Sequence, residues 1–248
     1  MLKIIRSYIL VLIICIPLTC FSTEGYYDLY YFDNQNIKID EESIDHSAEV
    51  EIEDPFQPIN QIIFSFNYVV DTLIIEPTAY FYKTITPDPV QGNVRNFFHN
   101  LSTPITAINL LLQGRFDDTA ETIGRFITNS TIGVGGLFDI ATEFNVEEYN
   151  EDFGLTMASY GVENGPYIVL PIIGPTNLRD LVGKGADFFI DPVNKNFSNT
   201  TNMYLGMTKI VYIRADNYAL INNIKYKSLD PYTFMKTVYS QNRASRTS

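Results

Sequence analysis

Apolar residues recur along this chain at three- and four-residue steps, which is the spacing of helices with one apolar face. Ile59, Ile62, Ile63, Phe66, Val69, Val70, Leu73 and Ile74 form the first such face, and Pro77 is expected to stop it. Pro104 is placed to open a second helix carrying Ile105, Ile108, Leu111 and Leu112, with Gly114 ending it. Asp118 and Glu121 have capping-box spacing ahead of Ile123, Phe126 and Ile127. Thr176 and Asn177 are candidate caps for a helix with Leu178, Leu181, Val182, Ala186 and Phe189. The same period runs from Met203 to Ile224. Asp230 followed by Pro231 reads as an N-cap and first helical position, opening a last helix through Val238. No run alternates at period two for long, and no fixed-period repeat is present. The pattern predicts a mainly α fold.

Two apolar segments do not fit a helix. Thr131 to Ala141 places Gly133, Gly135 and Gly136 among Ile132, Val134, Leu137, Phe138 and Ile140. Gly165 to Pro175 fences Tyr167, Ile168, Val169, Leu170, Ile172 and Ile173 with Pro166, Pro171 and Gly174. A loop buried on the core fits this composition. So does an apolar loop that lines a cavity or touches lipid, provided protein or water satisfies its backbone.

The N-terminus reads as a targeting segment. Lys3 and Arg6 precede a nearly continuous apolar run from Tyr8 to Leu18, which is short for a membrane-spanning helix. Residues 1–22 are therefore assigned as a signal peptide, cut before Cys20 or after Ser22. Cys20 is the lipidation candidate, although Pro17 and Thr19 make a poor lipobox. Both cysteines, Cys15 and Cys20, lie here, so no disulfide is expected in the mature body. Residues 23–53 form an acidic linker. Between Thr23 and Asp54 eleven acids face one lysine, which reads as a solvated, flexible tether. A body at 54–243 and a short tail at 244–248 follow.

Charge and composition remove several functions. The chain of 248 residues carries a formal net charge of -12, which disfavours binding to nucleic acid. The segment from Lys195 onward is instead basic, with eight cations against two acids. Compensation of the acidic body is the expected use of that charge, ahead of contact with anionic lipid. Two histidines and two cysteines offer no metal site and no expected cofactor. His99 is the body's sole histidine, no Gly-x-Ser-x-Gly elbow exists, and the glycine runs near Gly133 and Gly183 lack a following Lys-Ser/Thr. The pairs Glu147/Glu148 and Glu151/Asp152 suit a solvated loop better than acid–base work. No catalytic set is expected.

Five blocks in order carry a family resemblance. The first is Asp54-Pro55-Phe56, Ile59-Asn60, and Phe64-Ser65-Phe66-Asn67 with Asp71 and Pro77. The second runs from Gly92-Asn93-Val94-Arg95-Asn96-Phe97 to Asn100-Leu101, Pro104, Asn109 and Leu112-Gln113-Gly114. Arg125-Phe126, Asn129, Ile132-Gly133-Val134-Gly135-Gly136, Asp139 and Ala141 make the third. The fourth holds Phe153-Gly154, Tyr160-Gly161, Gly165-Pro166-Tyr167, Leu170-Pro171, Gly174 and Leu178-Arg179-Asp180. Arg214-Ala215, Asp230-Pro231-Tyr232 and Tyr239 complete it. From Asp54 to about Arg243 the chain resembles the MlaA/VacJ family of outer-membrane lipoproteins.

The resemblance implies a single ring-like helical domain lying in the membrane interface. It implies phospholipid as the cargo, removed from the outer leaflet, and a periplasmic lipid carrier and an outer-membrane porin trimer as partners. By analogy, the lipid-contact or channel candidates are Phe64, Phe66, Asn67, Gly133, Gly135, Gly136, Leu137, Phe138, Tyr167, Leu170, Pro171, Ile172 and Ile173. Asp54, Pro55, Asn60, Arg179, Asp180, Asp230 and Pro231 are expected to be structural, with Arg179 and Asp180 an ion pair or cap. A soluble periplasmic lipid-binding carrier is the alternative.

Overall fold

The computed structural model describes residues 52–247. The signal peptide, Cys20 and nearly all of the acidic linker lie outside the described residues. The chain is already packed at Ile52, whose side chain joins the core beside Tyr167, and the Glu53 carbonyl accepts from the Tyr167 N–H.

The architecture is mainly helical. Helix α1 (Gln57–Val70) passes through a wider π turn (Asp71–Ile75) into α2 (Glu76–Ile85). Pro77 therefore does not stop the helix. It sits at the start of α2, where its missing N–H falls beside the π turn and costs little. The whole rod has 29 residues, roughly 44 Å at the helical rise, and is long and apolar enough to cross a membrane by length and composition. Helix α3 (Asp88–Leu112) likewise begins sixteen residues before Pro104, on Pro89, and carries Pro104 in its interior. The hydroxyls of Ser102 and Thr103 donate to the Phe98 and His99 carbonyls in that turn. Gly114 ends the helix as expected, at φ +76°.

Helix α4 (Phe116–Thr131) opens on Arg115, not on a capping box. Asp118 instead lies in its first turn and pairs with Arg115 Nε at 2.6 Å. Short α5 (Ile140–Glu143) and α6 (Phe153–Ser159) are capped by the side chains of Asp139 and Asp152. The segment around Pro171 is not a loop. It forms an antiparallel hairpin of β1 (Tyr167–Leu170) and β2 (Gly174–Asn177), with Tyr167 opposite Asn177 and Leu170 opposite Gly174. Four-residue strands are too short to leave a visible alternation in sequence.

Asn177 caps α7 (Leu178–Ile190) by accepting from the Asp180 N–H at 2.8 Å, while Thr176 stays in β2. Short α8 (Pro192–Asn196) leads to α9 (Asn199–Asp216), and Asn217 breaks the expected long helix before α10 (Tyr218–Lys227). Asp230 caps α11 (Pro231–Ser245), which continues past Val238 and past Arg243. Contacts between elements close on themselves. From the α1–α2 rod they pass through α9, α3, α6 and α7 to the hairpin, and from it back to α1.

Glycine makes one of these contacts possible. A Cβ on Gly183 would lie 2.4 Å from the Gly154 backbone nitrogen, and one on Gly154 would lie 2.5 Å from Asp180 Oδ1. Helices α6 and α7 thus touch backbone to backbone. Gly183→Ala should lower stability by about 1–3 kcal/mol, the usual cost of overpacking. Gly185→Ala, two residues on and on a different face of the helix with open space around it, should leave stability nearly unchanged. Thermal unfolding of both variants in detergent checks the pair.

Candidate functional site

Amphipathic helices normally turn their apolar stripe inward. Here several turn it outward. Helix α4 buries Thr119, Thr122, Arg125 and Asn129 and exposes Phe116, Ile123 and Ile127. Helix α7 buries Arg179, Asp180, Lys184 and Asp187 and exposes Val182 and Phe189, the latter 71% accessible. On the α1–α2 rod, Ile62 and Leu73 are each 70% accessible. Among the described residues, buried polar and charged side chains outnumber buried apolar ones.

Such an interior holds only if its charges are paired. Asp180 is the centre of one network. It accepts from Arg243 Nη2 at 2.8 Å, with Nε of the same guanidinium 2.7 Å away, and it accepts from Arg179 at 3.1 Å and from the Tyr239 hydroxyl at 2.7 Å. Arg243 reaches on to Asp152 at 2.7 Å. Burial works to raise Asp152, and the Arg243 guanidinium overrides it, holding that carboxyl well below the usual range. A second network binds Asp71 in the π turn to Arg214 and Lys225, each at 2.8 Å, with Lys225 also 2.7 Å from Glu76. In a third, Arg125 holds Asp139 at 2.6 Å and the Val146 carbonyl at 2.8 Å, while Asn129 donates to Asp139 at 2.9 Å. The basic C-terminal segment thus places Arg214, Lys225 and Arg243 against acids of the body.

The third network anchors the glycine loop after α4. Val134, Gly135 and Gly136 all have positive φ. Gly133 lies where a Cβ would meet the Phe138 carbonyl oxygen at 2.2 Å, and Gly136 where one would meet the Asn100 side chain at 2.4 Å. The glycines press the backbone inward, and Ile132, Val134, Leu137 and Phe138 stand outward, exposed. His99 donates or accepts at Nδ1 toward Glu148 Oε1 at 2.5 Å beside this loop. Burial tends to raise Glu148, but His99 and Arg125 keep it lowered.

Two asparagines of α1 hold the hairpin. Asn60 Nδ2 donates to the Tyr167 carbonyl at 3.0 Å, and its Oδ1 accepts from the Val169 N–H at 2.9 Å. Asn67, two turns later on the same face, does the same to the Leu170 carbonyl and Ile172 N–H at 2.9 and 2.7 Å. The two amides satisfy the free edge of β1 as a third strand would. Ile172, at the hairpin tip, is a β-branched residue held at φ +67°, which is strained backbone. Asp54 accepts from Asn60 and from the Tyr232 hydroxyl, so the first motif block locks the chain entry to α1 and α11. Pro55 follows it in the turn that starts α1.

Between α1, the hairpin, α10 and α11 lies a cleft of about 670 Å³, part of it open to solvent. Phe64, Val169, Ile172, Ile221 and Ile224 make it apolar, and the Asp71–Lys225 pair lies in its wall. Of the sequence-selected candidates, Phe64, Asn67 and Ile172 line this cleft. Phe66 points outward, as do Leu137, Phe138 and Pro171, while Leu170 and Ile173 are half-buried. Tyr167 is 2% exposed and packs in the core against Tyr232 and Tyr239. Sequence reasoning missed Ile221, Ile224 and Lys225. Their helical spacing was visible, but not which cavity the face would meet.

Fold and exterior together define a helical protein that buries its polar groups and presents its apolar ones. The profile of the MlaA lipoprotein family matches residues 52–246, and the chain belongs to that family. An uncharacterized protein of Rickettsia typhi is 36% identical over 221 residues, covering 87% of this chain and 86% of its own. The intermembrane phospholipid transport system lipoprotein MlaA of Escherichia coli is 32% identical over 193 residues, 76% of each chain. Its Haemophilus influenzae counterpart is 31% identical, over 76% of this chain and 77% of its own. A solved structure, described as the structural basis for maintenance of bacterial outer membrane lipid asymmetry, matches with a TM-score of 0.68 at 29% identity. It covers 79% of this chain and 100% of the solved one.

The polar interior is titratable. Asp187 joins α7 to Asn109 of α3 at 2.9 Å and to the Phe153 N–H at 2.8 Å, and burial pushes it up to about 6. Its folded value lies above the ordinary carboxylate value, so the folded state holds the proton more tightly. Stability should therefore fall as pH rises from about 4 to about 6, by at most about 3 kcal/mol. Asp187→Asn should remove that slope. Denaturation at several pH values compares the two proteins.

The amide grip on the hairpin is separately testable. Asn67→Ala strands the Leu170 carbonyl and Ile172 N–H, at a cost of about 1–3 kcal/mol. Amide exchange in β1 should accelerate, while the α6–α7 amides stay protected.

Proposed function

We propose that this chain is the outer-membrane component of an intermembrane phospholipid transport system. In this reading it removes phospholipid mislocalised in the outer leaflet and passes it to a periplasmic carrier, maintaining lipid asymmetry. The observation that carries the reading is the inverted exterior of a family member. Apolar faces on the α1–α2 rod, α4, α7 and the glycine loop suit acyl chains around the protein, and the charges turned inward are paired with one another. The domain sits in the periplasmic leaflet of the outer membrane, anchored through Cys20 if that residue is acylated. An apolar cleft with a charged pair in its wall suits an amphiphile, tails along Phe64, Ile172 and Ile221 and the polar end near Lys225. The exposed surface of Leu137 and Phe138 would meet lipid, and an outer-membrane porin trimer and a periplasmic carrier are the partners.

Surface-exposed phospholipid in cells lacking the gene, with and without complementation, tests this reading. The wild-type gene should restore asymmetry. Met235→Trp, which fills the cleft from α11, should fail to restore it while remaining folded and in the membrane. Ile62→Lys with Leu73→Lys should instead shift the protein out of the membrane fraction. A protein that fractionates as soluble, binds phospholipid and leaves asymmetry unchanged would replace this reading with that of a soluble carrier.

A further inference from the structure

The hairpin reverses over three residues, Pro171, Ile172 and Ile173, between the paired Leu170 and Gly174. The Ile173 N–H donates to the Pro171 carbonyl at 2.8 Å, which closes a three-residue turn with Ile172 at its centre. A positive φ at the centre is the rare, strained form of such a turn, and Ile172 has φ +67°. Gly174 has φ +93° at no steric cost, whereas Ile172 carries a β-branched side chain through the same region.

Two things hold Ile172 there. The Asn67 amide accepts from its N–H at 2.7 Å and donates to the Leu170 carbonyl at 2.9 Å. The Ile172 side chain also lines the cleft, with Phe64 and Val169 on its own side and Ile221 and Ile224 brought by α10. Polar groups of that lining are already engaged within the protein. Asn67 holds the hairpin, and Lys225 donates to Asp71 at 2.8 Å. What the lining offers a ligand is therefore mainly apolar surface, which suits an acyl chain.

Opposed terms thus meet at one residue. The strain favours rotation of Ile172 to negative φ, and the Asn67 grip and the side-chain contacts in the cleft oppose it. An acyl chain would take over those contacts. It then interacts differently with the two forms of the turn, which is what a ligand needs to shift one to the other.

We propose that Ile172 is the gate of the cleft. At positive φ its side chain occupies part of the lining. As the turn relaxes to negative φ the side chain swings out, and an acyl chain takes its place. The gate deepens the transport reading and rests on its assignment of the cleft to lipid.

Stopped-flow mixing of the purified full chain, held in amphipol, with dansylundecanoic acid tests the gate. Ile172→Gly, which keeps the turn without strain or side chain, should speed probe entry roughly ten-fold. Ile172→Ala and Asn67→Ala should change the entry rate in the same direction. A residue that merely lined the cleft would alter the exit rate instead, where most affinity differences lie. In protein isotope-labelled at isoleucine, the Ile172 Cα resonance should move on probe addition from a left-handed shift to an extended one. Met235→Trp should abolish binding. No binding by the wild type, or binding that survives Met235→Trp, removes the cleft as the site and overturns the gate with it. Binding lost in Met235→Trp, together with wild-type entry rates in folded Ile172→Gly and Asn67→Ala or an unmoved Ile172 resonance, overturns the gate alone.

Discussion

Arg214 is fully buried, and the groups that make this possible come from distant parts of the chain. Asp71 lies in the π turn of the long rod, and Lys225 and Asn222 arrive on α10. Arg243 repeats the arrangement at α11, drawing Asp180 and Asp152 together. Such pairs contribute modest net stability, but removing one partner leaves a buried charge uncompensated, at several kcal/mol. Each network therefore ties helices to one another in a fixed register. With charges so placed inside, the apolar stripes of α4, α7 and the rod have only the outside left.

Close backbone approach is the second requirement. Gly154 and Gly183 let α6 and α7 touch, which brings Asp152 and Asp180 within reach of one guanidinium. Gly133 and Gly136 press the apolar loop onto α3 and α4, so its large side chains stand outward on a backbone held from within by Arg125 and Asn129. Asn60 and Asn67 bring the hairpin against α1 without a third strand. The cleft exists because those two amides fix one of its walls.

Much of this could be read along the chain. Helical periodicity marked most helices, and the caps at Asn177 and Asp230 and the stop at Gly114 lie where local chemistry put them. Proline misled twice. Pro77 and Pro104 sit within continuous helical runs, because a π turn and the helix around Ser102 and Thr103 accommodate what local rules treat as breaks. The Asp118 spacing was a false cap because Arg115 took the carboxylate. The hairpin was too short to declare itself. Motif residues such as Asp54, Asn60, Arg125, Asn129 and Arg179 stood out in sequence, and the structure places each of them in a polar contact that joins separate segments.

The sequence by itself determined that the chain is mainly helical, which residues share a helix face and which local groups cap each helix, because these depend on neighbours three or four positions away. It also carried the family's five blocks. Only the tertiary structure decided which face points inward. A periodic stripe of isoleucine and phenylalanine looks the same whether it meets a core or a bilayer. The choice was made by Asp71, Asp152, Asp180, Arg214 and Arg243, which find their partners up to 154 residues away and must be buried together. Sequence spacing cannot report such distant pairing, and the inverted exterior follows from it.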